Sequence, residues 1–338
     1  MTFSRAISFK ISVLFALSGV FLSCSRPVEI QRVKLLMGTK VEIIAEGKDR
    51  ESLEKAINQG FKEIERLEAK LSRYREDSTI SRINRSAGIS PVQVDAEVFA
   101  LIEKAVEVCG DSNGAFDPTI LPVLSLWKFT EKDAVLPDEE EIKQRLSLVD
   151  CRKIILKKGE NLVFLPEPGM GIDLGGIAKG YAADRTAEVL KKNGVRSGIV
   201  NAGGNLTVFG GKGRGTAIGV QDPRDRDKVL AKIYLKDSAV STSGDYERFF
   251  IFRGIRYSHI IDPKNGYPAR GEESVTVISQ DGTLTDARST ALFVLGSDEG
   301  LKMLKSHPGM QAMFIDASGK KSMTPGLSER MLWLEGGN

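Results

Sequence analysis

The sequence predicts an α+β fold built on largely antiparallel sheets. Three observations lead there. Amphipathic helical stretches and short strand-like runs interleave without the strict strand–helix–strand rhythm of a doubly wound sheet. Several strand-like runs are separated only by short turns, as around Arg253-Gly254, and short turns join antiparallel partners. From Lys34 onward the chain shows no repeat of a few tens of residues and no low-complexity linker, so it reads as one continuous folded unit over 34–338.

The elements follow in order. Val41–Ala45 is a strand-like run. Arg50 to about Leu71 has helical spacing, with Leu53, Ala56, Ile57, Phe61, Ile64, Leu67 and Leu71 on one face. Val94–Cys109 reads as a second amphipathic helix, and Ala178–Asn193 as a third, ended by Gly194. Strand-like runs then cover Ser197–Asn201, Thr216–Val220, Ala231–Leu235, Phe249–Phe252 and Ser274–Ser279. Asp286–Leu295 and Glu299–Ser306 read as late helices, separated at Gly296, and Gln311–Ile315 as a last strand.

The chain has 338 residues, enough for one large domain or two smaller ones. Hydrophobic residues make up 41% and charged residues 28%, the balance of a globular protein rather than a disordered one. The net charge of +3, without a long basic block, argues against a nucleic-acid partner.

The N-terminus carries a targeting pattern over residues 1–23. Arg5 and Lys10 precede a largely apolar run, Ile11–Leu22, followed by Ser23-Cys24. The run is short of the ~20 residues a spanning helix needs. It resembles a bacterial lipobox in which Cys24 becomes the lipidated first residue, with Phe21 where Leu is usual. A plain cleaved signal with an incidental cysteine is the alternative. Acylation with two or three chains would anchor Cys24 stably on the periplasmic side of a bacterial membrane. Residues 24–33 then read as a short tether. The remaining cysteines, Cys109 and Cys151, are too far apart for a zinc motif. They are free to pair, though spacing alone does not bring them together, and Cys109 reads equally as a small buried apolar residue.

Several stretches are able to carry chemistry. In Thr285-Asp286-Ala287-Arg288-Ser289-Thr290, Asp286 and Thr290 are four apart and share one helix face. A carboxylate and a hydroxyl so placed suit a hard cation such as Mg²⁺. The same spacing also fits a first-turn Asp and a Thr bonded to its own backbone. Gly171 to Gly180 is a Gly-rich loop entering a helix, with Lys179 positioned to neutralise a phosphate. It matches neither the P-loop nor the dinucleotide fingerprint. A second Gly cluster, Asn201 to Asn205, shapes either the same cleft or a simple tight turn. His259, just before Asp262-Pro263, has the side chain best suited to proton transfer near neutral pH. His307, before Pro308 in a polar stretch, reads as a surface residue. Ser243-Gly244 with His259 is a conceivable hydrolase pair, but no Gly-x-Ser-x-Gly elbow occurs.

Together these stretches resemble the FAD:protein FMN transferases, the ApbE-type family. The matching pieces run in the family's order: Met37-Gly38-Thr39, Tyr74, Gly114 to Thr119, Asp173 to Gly180, Asn201 to Gly204, Ser241 to Asp245, His259 to Pro263 and Asp286 to Thr290. They span about residues 35 to 320. The resemblance implies a bilobed catalytic unit with FAD as substrate in the cleft between lobes. It implies Mg²⁺-dependent cleavage of the FAD pyrophosphate, transfer of FMN to a Thr or Ser hydroxyl of an acceptor protein, and release of AMP. By the same resemblance, acceptors include flavin-carrying subunits of membrane redox complexes, with a motif near Asp-x-x-[Ser/Thr]-[Ala/Gly/Ser]-Thr. By resemblance, Asp286, Thr290 and the carbonyl of Gly176 hold the metal. Met37, Tyr74, Ala115, Phe116, Asp117, Asp173, Lys179 and Ile260 line the FAD site, and His259 is the base. The chain's own Asp286-Ala287-Arg288-Ser289-Thr290-Ala291 departs from the acceptor motif at its last two positions, so self-modification there is not expected. Two rivals share these residues: a pyrophosphatase that splits FAD with water, and a flavin-binding lipoprotein without catalysis.

Overall fold

A computed structural model describes residues 27–129, 136–211, 213–225 and 227–334. The expected signal peptide and Cys24 lie outside these residues. Among the described residues, no helix is long and apolar enough to cross a membrane.

The chain opens with a hairpin of β1 (Val28–Leu36) and β2 (Thr39–Gly47). Residues 28–33, expected as tether, therefore belong to a strand. Ile30 is the only buried residue of β1, so the strand carries no alternating apolar signal. It is an edge strand with Arg32 and Lys34 on it, held by its backbone ladder to β2. The turn places Met37 and Gly38 at φ of 51° and 67°, the left-handed pair that suits the twist of a two-residue hairpin.

A helical region follows. Helix α1 (Arg50–Leu71) has the expected bounds, and its Asp49 carboxylate caps the Ser52 N–H. It leads to α2 (Thr79–Arg85), β3 (Val92–Gln93) and α3 (Ala96–Asp111). Helix α3 starts two residues later than its apolar spacing suggests, because Asp95 caps it through the Val98 N–H. Next come α4 (Leu121–Leu124), α5 (Glu139–Leu146), β4 (Ile155–Lys157) and β5 (Leu162–Phe164). Strands β3, β5 and β4 form a small sheet. One apolar core joins Ile80, Ile83, Phe99, Ile102, Val163 and Ile172.

The remainder builds the main sheet. Helix α6 (Ala178–Lys192) precedes β6 (Ser197–Ala202) and β7 (Asn205–Phe209), which are joined by Gly203 and Gly204 at φ of 61° and 88°. The second Gly cluster is thus a hairpin turn, and its Gly203 and Asn205 also line the cleft. After these come β8 (Thr216–Gln221), β9 (Val229–Leu235), β10 (Ser238–Gly244), β11 (Phe249–Phe252), β12 (Ile255–Ser258) and β13 (Glu272–Ser279). Helix α7 (Gly282–Leu304), β14 (Gln311–Asp316), β15 (Lys321–Met323), α8 (Pro325–Ser328) and β16 (Met331–Trp333) complete the chain. The eight-stranded sheet has the order β1-β2-β6-β7-β10-β13-β14-β15. Its described pairs are all antiparallel, as expected.

Helices and a second sheet cover the main sheet. Ile57, Phe61 and Ile64 of α1 and Leu190 of α6 pack on Ile43 and Val200, while Leu292 and Phe293 of α7 pack on Val275, Val277 and Phe314. Val208, Val240 and Ile278 meet Ile218 and Ile233 of the three-stranded β16-β9-β8 sheet. Every residue of β13 is buried, which is why it reads as a continuous apolar and polar run rather than an alternation.

Helix α7 corrects one expectation. It begins at Gly282, capped by Asp281 through the Leu284 N–H, four residues before the expected start. Gly282 and Thr283 are weak helix formers that hide this first turn from a propensity reading. Gly296 breaks the helix at φ 74°, where the division into two late helices was expected.

Candidate active site

Two helices meet at the site. Helix α6 has no side-chain cap at its start: the Ala178 N–H donates to the Leu174 carbonyl at 2.8 Å, and the Lys179 and Gly180 N–H groups after it are left for another element. The Gly180 N–H donates to Asp286 Oδ2 at 2.8 Å. Asp286 is therefore not a cap of its own helix: it lies in the second turn of α7 and takes its partner from α6. A side chain at Gly180 would exclude this contact, since a Cβ there would lie 2.1 Å from the Gly282 carbonyl oxygen. Asp286 is 3% exposed. Burial pushes its carboxyl pKa up, while Lys179 and the Gly180 and Lys179 N–H groups pull it down.

Thr290 lies one turn further along α7 and lines the same cavity. A Cβ at Gly176 would sit 3.3 Å from Thr290 Oγ1 and 3.1 Å from the Phe116 ring, so this backbone runs close beside the hydroxyl. A buried carboxylate, a hydroxyl and an adjacent main chain form an all-oxygen donor set, which fits Mg²⁺.

His259 follows β12 directly. Its backbone N–H donates to the Arg248 carbonyl at 2.9 Å, and its ring Nδ1 is buried without a hydrogen-bond partner. Burial first, then Lys179 and Arg248, lowers its pKa to about 4. The imidazole is neutral at pH 7 and able to accept a proton.

A cavity of about 1050 Å³ opens between the helical region and the main sheet. Its volume is at the upper end of the ~300–1,000 Å³ usual for small-molecule pockets. Every residue expected at the site lines it. Met37 enters from the strained β1–β2 turn, and Ile260 from beside His259. Tyr74 is 74% exposed, and the Arg73 guanidinium stacks 4.3 Å from its ring. Asp173 is held by Arg73 Nε at 2.6 Å and by the Gly175 N–H at 2.8 Å. Lys179 Nζ donates to the Gly175 carbonyl at 2.7 Å.

Ala115, Phe116 and Asp117 come from one loop. Asp117 is buried and accepts from Thr119 Oγ1 at 2.6 Å and from the Cys151 N–H at 3.0 Å. Burial raises its pKa against these bonds. Cys151 is disulfide-bonded to Cys109, which ties both ends of this cavity-lining segment to α3.

The structure also brings in residues that sequence reasoning missed. Arg73, Arg248, Trp127 and Phe129 line the cavity. Their positions depend on hairpin register and loop path, for which no local pattern exists. Ser243, weighed as a partner of His259, instead shares a 2.8 Å hydrogen bond with Ser289. His307, expected at the surface, is half-buried: its side chain is 17% exposed and lies 3.6 Å from Asp111, at the end of α3.

Comparison with known proteins shows the family. The model of the ApbE family matches residues 37–314. The FAD:protein FMN transferase of Treponema pallidum is 33% identical, over 98% of this chain and 98% of its own length. One from Klebsiella pneumoniae is 38% identical over 75% of this chain and 80% of its own. The crystal structure of the ApbE protein of Thermotoga maritima superposes with a TM-score of 0.84 at 34% identity, covering 90% of this chain and 99% of that one. The flavin transferase ApbE of Vibrio cholerae gives 0.80 at 26% identity, covering 91% and 100%.

Proposed function

The chain belongs to the ApbE family, and we propose that it transfers FMN from FAD to a hydroxyl of an acceptor protein. The observation that carries this reading is one cavity lined together by Asp286, Thr290, Lys179 and a neutral His259. A site that only held flavin would have no use for a hard-oxygen donor set beside a base.

In this reading FAD lies across the cavity, with its flat rings near Tyr74 and Phe116 and its pyrophosphate near Lys179. Asp286, Thr290 and the Gly176 carbonyl would hold Mg²⁺. Bound there, Mg²⁺ would neutralise charge on the pyrophosphate oxygens. The acceptor oxygen forms a bond to the FMN phosphorus as the bond to the AMP oxygen breaks. The hydroxyl proton passes to the imidazole of His259, and AMP leaves. Phosphoryl transfer depends mostly on alignment and charge neutralisation, which is what the fixed Asp286 and Lys179 contribute.

The acceptor is a Thr or Ser in a motif near Asp-x-x-[Ser/Thr]-x-Thr on a flavin-carrying subunit of a membrane redox complex. The chain's own Ser289 is 1% exposed inside α7, which supports a separate acceptor. A lipid anchor at Cys24 would hold the enzyme on the periplasmic face, beside such subunits.

The test incubates residues 25–338 with FAD and Mg²⁺, with and without an acceptor domain bearing that motif. An FMN-sized mass gain on the acceptor with AMP released supports the transferase. Free FMN and AMP without an adduct would replace it with the pyrophosphatase, and intact FAD would leave a flavin-binding protein.

A further inference from the structure

The register of the β11–β12 hairpin sets an arginine beside the site. The hairpin pairs Phe249 with Ser258. Arg248 and His259 are the next pair outward, joined by the 2.9 Å bond from the His259 N–H to the Arg248 carbonyl. Directly opposed residues of an antiparallel pair project to the same face, and both side chains line the cavity. Arg248 Nη2 donates to the Gly38 carbonyl at 2.8 Å, in the turn that carries Met37. That bond uses one of the five N–H donors of a guanidinium.

Lys179 reaches the cavity from the α6 side. Among the described residues Arg248 forms no ion pair with a cavity carboxylate, whereas Lys179 acts on the buried Asp286 carboxyl. Asp173 is taken by Arg73, Asp286 by the Gly180 N–H, and Asp117 by Thr119 and Cys151. Glu68 and Glu247 also line the cavity, and among the described residues neither forms an ion pair with Arg248 or Lys179. An arginine without a carboxylate partner, facing the same cavity as Lys179, describes a site open to an anion that the protein does not supply.

We propose that Arg248 is a second phosphate-binding residue, taking a pyrophosphate oxygen of the dinucleotide opposite Lys179 while its bond to Gly38 fixes the Met37 turn against His259. The planar fork of arginine suits this double task, since one edge stays on Gly38 while the rest meets a phosphate. The inference rests on the flavin reading for the identity of the dinucleotide, but not for the anion.

The test measures dissociation constants of FAD, ADP and riboflavin for the wild type, Arg248→Met and Arg248→Lys. Arg248→Met is expected to weaken FAD and ADP by about 10- to 100-fold, as for loss of one hydrogen bond to a charged group. Riboflavin, which has no phosphate, binds unchanged and so reports an intact fold. Arg248→Lys recovers part of the loss. Equal weakening of all three ligands would reduce Arg248 to a strut and overturn the proposal, as would unchanged FAD and ADP binding. A wild type that binds ADP but not FAD, with ADP still weakened by Arg248→Met, would keep the phosphate contact and remove the flavin reading. A wild type that binds neither would overturn both.

Discussion

Gly180→Ala is the substitution whose effect follows most directly from the geometry. An added Cβ would lie 2.1 Å from the Gly282 carbonyl oxygen and 2.7 Å from Asp286 Cβ. The first contact is backbone, so no side-chain rotation relieves it. Helices α6 and α7 must part by about 1 Å to reach even the tightest real contacts, and such overpacking costs about 1–3 kcal/mol. The same movement stretches the 2.8 Å bond from Gly180 to the Asp286 carboxylate, and a hydrogen bond to a charged group contributes about 1.5–3 kcal/mol. Alanine returns up to about 1 kcal/mol of helix propensity, which is too little to offset both losses. The net destabilisation is about 1.5–5 kcal/mol. Because Gly180 holds Asp286 from behind, Mg²⁺ affinity should fall about 10- to 100-fold, the usual cost of losing an outer partner of a ligand. Thermal melting and a Mg²⁺ titration of FAD turnover measure the two effects. Gly110→Ala is the control, since a Cβ there meets nothing within 4 Å. If Gly180→Ala melted with the wild type and kept its Mg²⁺ dependence, close approach of α6 and α7 would not be what positions Asp286.

Other expectations concern single groups. Asp286→Ala should abolish Mg²⁺-dependent release of AMP from FAD, and undiminished release would remove Asp286 from the metal site. His259→Ala should slow transfer by about 10²–10⁴, the range for a general base, with FAD binding retained; a fully active variant would end that role. The buried imidazole also makes stability depend on pH. Its folded pKa of about 4 lies below the unfolded value of 6.5. The unfolded chain therefore binds the extra proton first, so this contribution is complete above pH 6.5 and is lost as pH falls toward 4. Denaturant melts of the metal-free protein should show that slope, and His259→Gln should flatten it. Reducing Cys109–Cys151, which are 42 residues apart, should cost about 4 kcal/mol on chain-entropy grounds. It should also weaken FAD binding through the Asp117 loop, and equal FAD affinity in the double Cys→Ser variant would show that the loop holds without the bond.

The sequence by itself determined those features whose cause is local. The apolar spacing of α1 is complete within twenty-two residues, so its bounds were legible. Asp286 and Thr290 share a face through helix geometry alone, and the motif order from Met37 to Thr290 identified the family. Other features are set by residues far apart in the chain, and only the tertiary structure decided them. Strand β1 was missed because an edge strand gains its order from a partner's backbone rather than from buried side chains. The partner of Asp286 is an N–H 106 residues away, and it reaches the carboxylate because two glycines let two helices touch. Arg248 stands beside His259 through hairpin register, and the pairing of Cys109 with Cys151 depends on how a loop returns to α3. Local periodicity specifies which face of an element is apolar. The distance of closest approach between elements, and with it the chemistry of a shared site, comes from how those faces pack.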